Sequence, residues 1–227
     1  MVVQLSVPLR SVTKGSNLCM LACSLMVLEY YDDVLPTAES EKEVLAFEPF
    51  TCGNNERHSQ GMALWLIGKG YSISYCHNDL GVIDRDTDGL SENDVAILRT
   101  KLAQLPDAPE TAYGKKKLAH DIRLIEAGAS FSTTLPDAAF IDRHLEQGMP
   151  VICTVRHSML RLEPEARGNH AIVITGGDGR HYQYNDCNRS APETIESMKL
   201  IRAWYAAGAY AMVIRPKGQN NNPARPS

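Results

Sequence analysis

Three residue types that can form a nucleophilic triad occur in this chain in the order Cys, His, Asp. Cys19 stands at the start of an apolar stretch that runs to Tyr31, and His170 and Asp186 follow about 150 residues later. In such a triad the imidazole takes the proton of the thiol, and the carboxylate fixes the tautomer and orientation of the imidazole. The pattern indicates nucleophilic attack by a thiolate on an amide or acyl carbonyl.

A thiol is a good nucleophile only as the thiolate, so Cys19 needs surroundings that lower its pKa. Residues 14–17 have a turn sequence, and Ser16 or Asn17 can cap the helix that follows. Cys19 would then lie in the first helical turn, where the positive end of the helix dipole favours a thiolate. The alternative for an isolated Cys is a buried structural role.

His170 and Asp186 are expected to meet across a β-hairpin. A β-branched strand at 171–175 follows His170, and a Gly-Gly-Asp-Gly turn leads to a return strand at 181–185. Asp186 can then hydrogen-bond the second imidazole nitrogen, and Asn185 is the alternative partner if Asp186 points away. A turn-forming Asp and a strand-edge His are the purely structural alternatives.

The other histidines are weaker candidates for the base. His157 is the nearest rival, since it follows the strand predicted at 151–156, but no acidic partner follows it in a hairpin. The remaining five are expected to face solvent: His58, His77, His120, His144 and His181.

Length and charge limit the possible classes of protein. A chain of 227 residues fits one domain over 1–216, with 77–135 as a helical insertion or lid and 217–227 as a disordered tail. The net charge of -4, mixed along the chain, argues against nucleic-acid binding. The apolar runs are shorter than the roughly 20 residues of a membrane span. Residues 1–10 carry no secretory signal, which favours a cytoplasmic location.

The six cysteines do not form a metal-binding pattern. No C-x-x-C pair occurs, so we expect neither a zinc site nor any other cofactor. Without a secretory signal we expect reduced thiols. Cys23 and Cys153 are predicted to be core residues, and Cys187 lies beside Asp186. The sequence carries no signal for the oligomeric state.

The hydrophobic patterns predict an α+β fold in which an N-terminal helix packs on a small antiparallel sheet. Further helices are predicted at 39–47, 59–69, 91–104, 110–127, 136–147 and 193–206. Strands are predicted at 3–7, 71–75, 151–156, 171–175, 181–185 and 209–214.

Five segments match, in order, the motifs of one peptidase family. They are Cys19, Ala22, Met26, Leu28, Tyr30 and Tyr31 in the first helix, then 61–71, 145–152, 168–176 with 185–187, and Trp204 with 211–214. On these motifs the chain resembles the papain-like cysteine peptidases of the bacteriocin-processing kind, the double-glycine leader peptidases, and their stand-alone bacterial relatives. The resemblance covers most of the chain except 77–135 and the tail.

The resemblance implies a papain-like fold with Cys19, His170 and Asp186 as the catalytic triad. The chain also departs from the family pattern. Met20 stands where the family has Gly after the nucleophile, and Cys187 stands where the family has Pro after the Asp.

The departure with the largest expected effect lies before the nucleophile. The family places an oxyanion-stabilising Gln six residues before the Cys, and Thr13 occupies that position here. Losing one such donor costs roughly a hundred- to thousand-fold in turnover. Thr13, Ser16 or Asn17 can supply a replacement donor beside the backbone N–H of Cys19.

These features predict a peptidase-like cysteine hydrolase that acts on a peptide or protein, or on a small acyl or amide compound. One alternative is an acyltransferase or glutamine deamidase on the same fold, including one exported as an effector. The other is an inactive relative that only binds peptides. The segment 77–135 is the candidate for substrate selection, because it is what this chain adds to the family core.

Overall fold

The computed structural model describes residues 2–11, 18–47, 51–52, 56–57, 59–76, 90–161 and 168–216. Its helices are α1 Cys19–Tyr30, α2 Thr37–Ala46, α3 Ser59–Gly68, α4 Glu92–Gln104, α5 Pro109–Glu126, α6 Ala138–Glu146, α7 His157–Arg161 and α8 Ser197–Tyr205. Its strands are β1 Val3–Gln4, β2 Thr51–Cys52, β3 Glu56–Arg57, β4 Ser72–Cys76, β5 Ser130–Ser132, β6 Val151–Arg156, β7 Asn169–Gly177, β8 His181–Asn185, β9 Glu193–Glu196 and β10 Ala211–Arg215. The predicted tail, 217–227, lies outside the described residues.

One eight-stranded sheet organises the described part of the chain. Its strand order is β5-β4-β10-β6-β7-β8-β9, and β1 pairs with the far end of β7. Neighbouring strands are antiparallel except β4 and β5. The α+β class and the packing of the first helix on this sheet are therefore as predicted. The sheet itself is larger than the small sheet that was predicted.

The central strands are apolar on both faces because helices cover both sides of the sheet. Alternate residues of a strand point to opposite faces. One set packs with α1 and α3 and includes Ile152, Ala171, Val173, Met212 and Ile214. The other set packs with α6 and α8 and includes Val151, Cys153, Ile172, Ile174 and Val213. The result is three layers, with helices on each side of the sheet.

Helix α1 is buried around nearly its whole circumference. Nine consecutive residues from Met20 to Leu28 are buried, which explains why the helix has no polar face. Its neighbours include β7, β10, α2 and α3. The predicted end at Tyr31 differs by one residue from the observed end at Tyr30.

The described part of the segment 77–135 contains two helices and one strand. Helices α4 and α5 pack on each other, and α5 also packs on α3. Strand β5 then joins the main sheet beside β4. The two helices lie within a residue of their predicted bounds, but β5 was not predicted. None of the described helices has the length and apolar character needed to span a membrane.

Two other elements differ from the prediction. The predicted helix 193–206 begins instead as strand β9, which pairs with β8 from Glu193 to Glu196. The segment 157–168, for which no helix was predicted, starts with the short helix α7. In both cases contacts with distant parts of the chain override a local pattern.

Candidate active site

Cys19 is the first residue of α1 and is half-buried. The residue before it, Leu18, makes no side-chain capping bond. The backbone N–H groups of Met20 and Ala171 donate to the Cys19 sulfur, and the His170 ring hydrogen-bonds it. Burial acts to raise the pKa of Cys19, but the hydrogen bond and charge of His170, with these two N–H groups, bring it below the ordinary value.

His170 lies near the start of β7 and connects Cys19 with Asp186. Its Nε2 is 2.8 Å from Asp186 Oδ1, so the hydrogen bond to Cys19 falls to Nδ1. The ring is 6% exposed and stacks on the His157 ring, with 4.8 Å between centroids. Burial favours neutral imidazole, yet the hydrogen bonds to Asp186 and Cys19 raise the pKa of His170 to about 9.

Asp186 follows β8 directly and is fully buried. Its Oδ1 accepts hydrogen bonds from His170 and, at 2.8 Å, from the backbone N–H of Asn188. Its Oδ2 accepts from Arg161. Burial opposes the charge, but these donors hold the pKa of Asp186 far below its usual range. The carboxylate is therefore ionised at neutral pH and can orient the imidazole.

Asn185, the alternative partner for His170, has a different contact. Its side-chain amide donates to the backbone oxygen of Val7 at 2.9 Å, and the residue is 1% exposed. Asn185 therefore attaches the N-terminal segment to β8.

The structure adds a second layer of charged residues behind Asp186. The Arg161 guanidinium bridges Asp186 and Glu193, and the Tyr184 hydroxyl donates to Glu193 at 2.6 Å. Arg161 was not among the predicted site residues, because it stands in the polar segment between the strands predicted at 151–156 and 171–175. The alternating apolar pattern that predicts a strand does not indicate whether a nearby charged side chain is buried in an ion pair.

The sequence also placed two histidines wrongly. His120 and His144 were expected to face solvent, but they are 3% and 7% exposed. Each belongs to an amphipathic helix, and the helix face that carries it packs inward. The His144 Nδ1 lies 2.8 Å from the backbone oxygen of Phe140, four residues earlier. A helical position alone does not fix which face is buried.

Within the described part of the chain, one cluster offers donor types that metals bind. Ligand atoms of His170, Asp186 and Cys187 lie within 4.8 Å of one another. Two of the three residues already hydrogen-bond each other, and the buried Arg161 cation contacts the carboxylate. A positive charge at this position opposes a second cation, so the arrangement favours triad chemistry over metal binding.

The sequence predicts Thr13, Ser16, Asn17 and the backbone N–H of Cys19 as candidate oxyanion donors. Thr13, Ser16 and Asn17 lie outside the described residues. The backbone N–H of Cys19 is one of the first helical N–H groups, which have no partner within a helix. This N–H points from the start of α1, where a developing negative charge is favoured.

Cys19, His170, Asp186 and Arg161 form a connected series of hydrogen bonds that runs from the thiol to a buried ion pair. Such a series can hold a thiolate beside an imidazolium, transfer a proton to a leaving group, and stabilise the charged imidazole throughout.

Comparison with known proteins supports the fold. No protein-family profile and no curated protein matches the chain. Among solved structures, a crystal structure from Bacillus anthracis, provisionally described as a C39-like peptidase, matches with a TM-score of 0.54. The match covers 96% of this chain and 100% of that one, at 10% sequence identity. At this identity the likeness shows the fold alone, and the chain has a C39 peptidase-like fold.

Proposed function

We propose that this protein is a cysteine hydrolase that cleaves a peptide or other amide bond, with Cys19 as nucleophile, His170 as acid and base, and Asp186 as the residue that orients His170. The observation that carries the proposal is the position of His170, whose two ring nitrogens bond the thiol and the carboxylate. The C39 peptidase-like fold supports a peptidase-type chemistry.

The charge state of the pair prepares the nucleophile. The lowered pKa of Cys19 and the raised pKa of His170 both shift the pair toward thiolate and imidazolium. The thiolate attacks the carbonyl carbon, forming a C–S bond and a tetrahedral oxyanion. In this proposal the Cys19 backbone N–H donates a hydrogen bond to that oxyanion.

Collapse of the intermediate breaks the C–N bond. The imidazolium of His170 gives its proton to the departing amine, which leaves an acyl-enzyme on Cys19. Neutral His170 then takes a proton from water as the water attacks the acyl carbon. The carboxylic acid departs, and the thiolate–imidazolium pair is restored. Asp186 remains ionised throughout and holds the ring.

The proposed substrate class rests on the motif resemblance. The motif resemblance to double-glycine leader peptidases favours a peptide or protein substrate over a small amide. The helices α4 and α5, within 77–135, lie outside the matching motifs and are the proposed selector of substrate. An amine in place of water would make the same acyl-enzyme an acyltransferase, and a glutamine side chain as substrate would make it a deamidase.

Labelling with iodoacetamide at pH 7 tests the nucleophile. Wild type should be alkylated at Cys19, Cys19→Ala should lose that label, and His170→Ala should label slowly. Cys187→Ala is the matched control, because burial and the nearby negative charges of Cys19 and Asp186 raise the pKa of Cys187 to about 12. Its removal should leave the label unchanged.

Equal labelling of wild type and Cys19→Ala would refute the assignment. Mass analysis of the products then identifies the acceptor: a gain of water indicates hydrolysis, an amine adduct indicates transfer, and conversion of glutamine to glutamate indicates deamidation.

The second candidate is an inactive relative that binds peptides. The replacement of the family Gln by Thr13 and of the family Gly by Met20 favours it. In that case Cys19 alkylation would follow an ordinary thiol titration with a midpoint of about 8.5. A midpoint well below that value supports the enzyme.

A further inference from the structure

We infer that Arg161 is a positioning residue for the triad, which holds the Asp186 carboxylate in the plane that aligns His170 with Cys19. The inference rests on the proposed function and adds a residue that the motif resemblance does not contain. Arg161 ends α7, a helix that packs on β6 and α8.

The contacts of Arg161 are those of a buried bridge. Its side chain is 8% exposed, and Asp186 is fully buried. Nη2 donates both to Asp186 Oδ2 and, at 2.8 Å, to Glu193 Oε2. Nη1 donates to Glu193 Oε1 at 3.3 Å. One guanidinium therefore joins the end of β8 to the start of β9.

Arg161 completes the set of bonds to the Asp186 carboxylate. Oδ1 accepts from His170 and from the backbone of Asn188, whereas Oδ2 accepts from Arg161. With both oxygens held, the carboxylate cannot rotate about its last torsion. Without Arg161, the buried Oδ2 would lose the hydrogen bond that Nη2 donates. The carboxylate could then rotate and would no longer hold the His170 ring in one orientation.

The guanidinium shape is needed as well as the charge. The fork of Arg161 places one nitrogen between two carboxylates and a second nitrogen on Glu193. The ammonium of Lys is a point donor on a flexible stem and cannot reproduce that planar geometry. Arg161 should therefore be only partly replaced by Lys.

Other titratable groups also face the triad. His157 stacks on His170, and Cys23 and Cys187 lie near enough to Cys19 to interact with its charge. Glu193 lies beyond Arg161. The Arg161 guanidinium, in contrast, hydrogen-bonds Asp186 directly.

The test measures the rate of Cys19 alkylation by iodoacetamide against pH in the full chain. Arg161→Met should move the midpoint upward by about one pH unit, because the imidazole is less well aligned with the Cys19 thiol. The rate at neutral pH should fall about tenfold. Arg161→Lys should give a smaller shift in the same direction.

Arg189→Met is the matched control. Arg189 also contacts Glu193, at 3.5 Å, but its side chain is 41% exposed. The same loss of charge there should leave the midpoint unchanged. A double variant separates positioning from general loss of structure: adding Arg161→Met to Asp186→Asn should cause no further shift, because Arg161 acts through Asp186.

The outcomes are distinct. Wild-type midpoints in Arg161→Met, or full additivity in the double variant, would overturn the inference while leaving the proposed function intact. Absence of Cys19-dependent labelling in wild type would instead overturn the proposed function. If Arg161→Met fails to fold, the Arg161→Lys midpoint decides, and a wild-type value there refutes the need for the fork.

Discussion

Replacing Asp186 with Asn tests how the buried carboxylate controls the imidazole. Asn has nearly the same size but carries one acceptor oxygen and one donor group. Arg161 and the Asn188 N–H both need an acceptor, and His170 Nε2 now also faces this side chain. If the Asn oxygen turns to Arg161, its NH2 group faces Nε2 and forces the imidazole proton onto Nδ1. That tautomer cannot take a proton from Cys19.

The expected loss of stability follows from the buried ion pair. Breaking such a pair by removing one partner costs about 3–5 kcal/mol. Arg161 keeps Glu193 as a second carboxylate, so we expect the lower end, about 3 kcal/mol. For a domain of this size that corresponds to a fall in Tm of roughly 6–12 °C.

The expected effect on chemistry is separate and can be measured in the same sample. Loss of the aligned imidazole should raise the pKa of Cys19 and slow alkylation at pH 7 by roughly ten- to a hundredfold. Differential scanning calorimetry gives Tm, and iodoacetamide kinetics below the transition give the thiolate fraction.

Two results would refute the reasoning. An unchanged Tm would mean that Arg161 and Asp186 do not form a buried pair in solution. A destabilised variant with wild-type alkylation kinetics would mean that Asp186 holds the fold together without orienting His170. Asn188→Ala is the control, since it keeps the backbone N–H that bonds Asp186.

Three further predictions concern stability. The stability advantage of wild type over His170→Gln should be full below about pH 6.5 and decline as pH rises through about 9, because the pKa of His170 is raised in the folded state. Urea denaturation at three pH values measures this difference in stability, and a difference that stays constant with pH contradicts the prediction. Gly176→Ala should destabilise the protein by about 1–3 kcal/mol, because a Cβ there would lie 2.6 Å from a backbone oxygen of β1. Thermal melting measures the effect, with Gly68→Ala as the control because a Cβ there meets nothing within 4 Å. Equal Tm values for the two variants would refute the close approach of β1 to Gly176. Ser91→Ala should lower the free energy of unfolding by about 1 kcal/mol through loss of the capping box of α4, and it should leave Cys19 alkylation unchanged. Slower alkylation would instead link α4 to the site.

The sequence was sufficient for elements whose pattern has one interpretation. The apolar stretch from Cys19, with no polar face, predicts a buried helix, and the β-branched run after His170, followed by a glycine turn, predicts a hairpin. The helices α4 and α5 carry strong helix formers and were placed within a residue. The pairing of His170 with Asp186 follows from the hairpin, because antiparallel strands bring such ends together.

The sequence was insufficient where a distant partner decides. Strand β9 begins at Glu193 in a stretch that also suits a helix, and only its pairing with β8 makes it a strand. Strand β5 is three residues long and is defined by its parallel neighbour β4. Arg161 could not be identified because a buried Arg and an exposed Arg look alike in sequence. The roles of Thr13, Ser16 and Asn17 stay predictions.

The separation of Cys19 from His170 along the chain has a consequence for biosynthesis. The ribosome makes Cys19 about 150 residues before His170, and at about 5–20 residues per second this interval lasts roughly 8–30 s. Throughout that time α1 lacks the strands β7 and β10 on which it packs, and the thiol has no imidazole beside it. The growing chain therefore carries an ordinary cysteine rather than a reactive one. Under the proposed function, hydrolytic capacity arises only when the C-terminal third has been made and folded, so that an unfinished chain cannot cut itself or its neighbours.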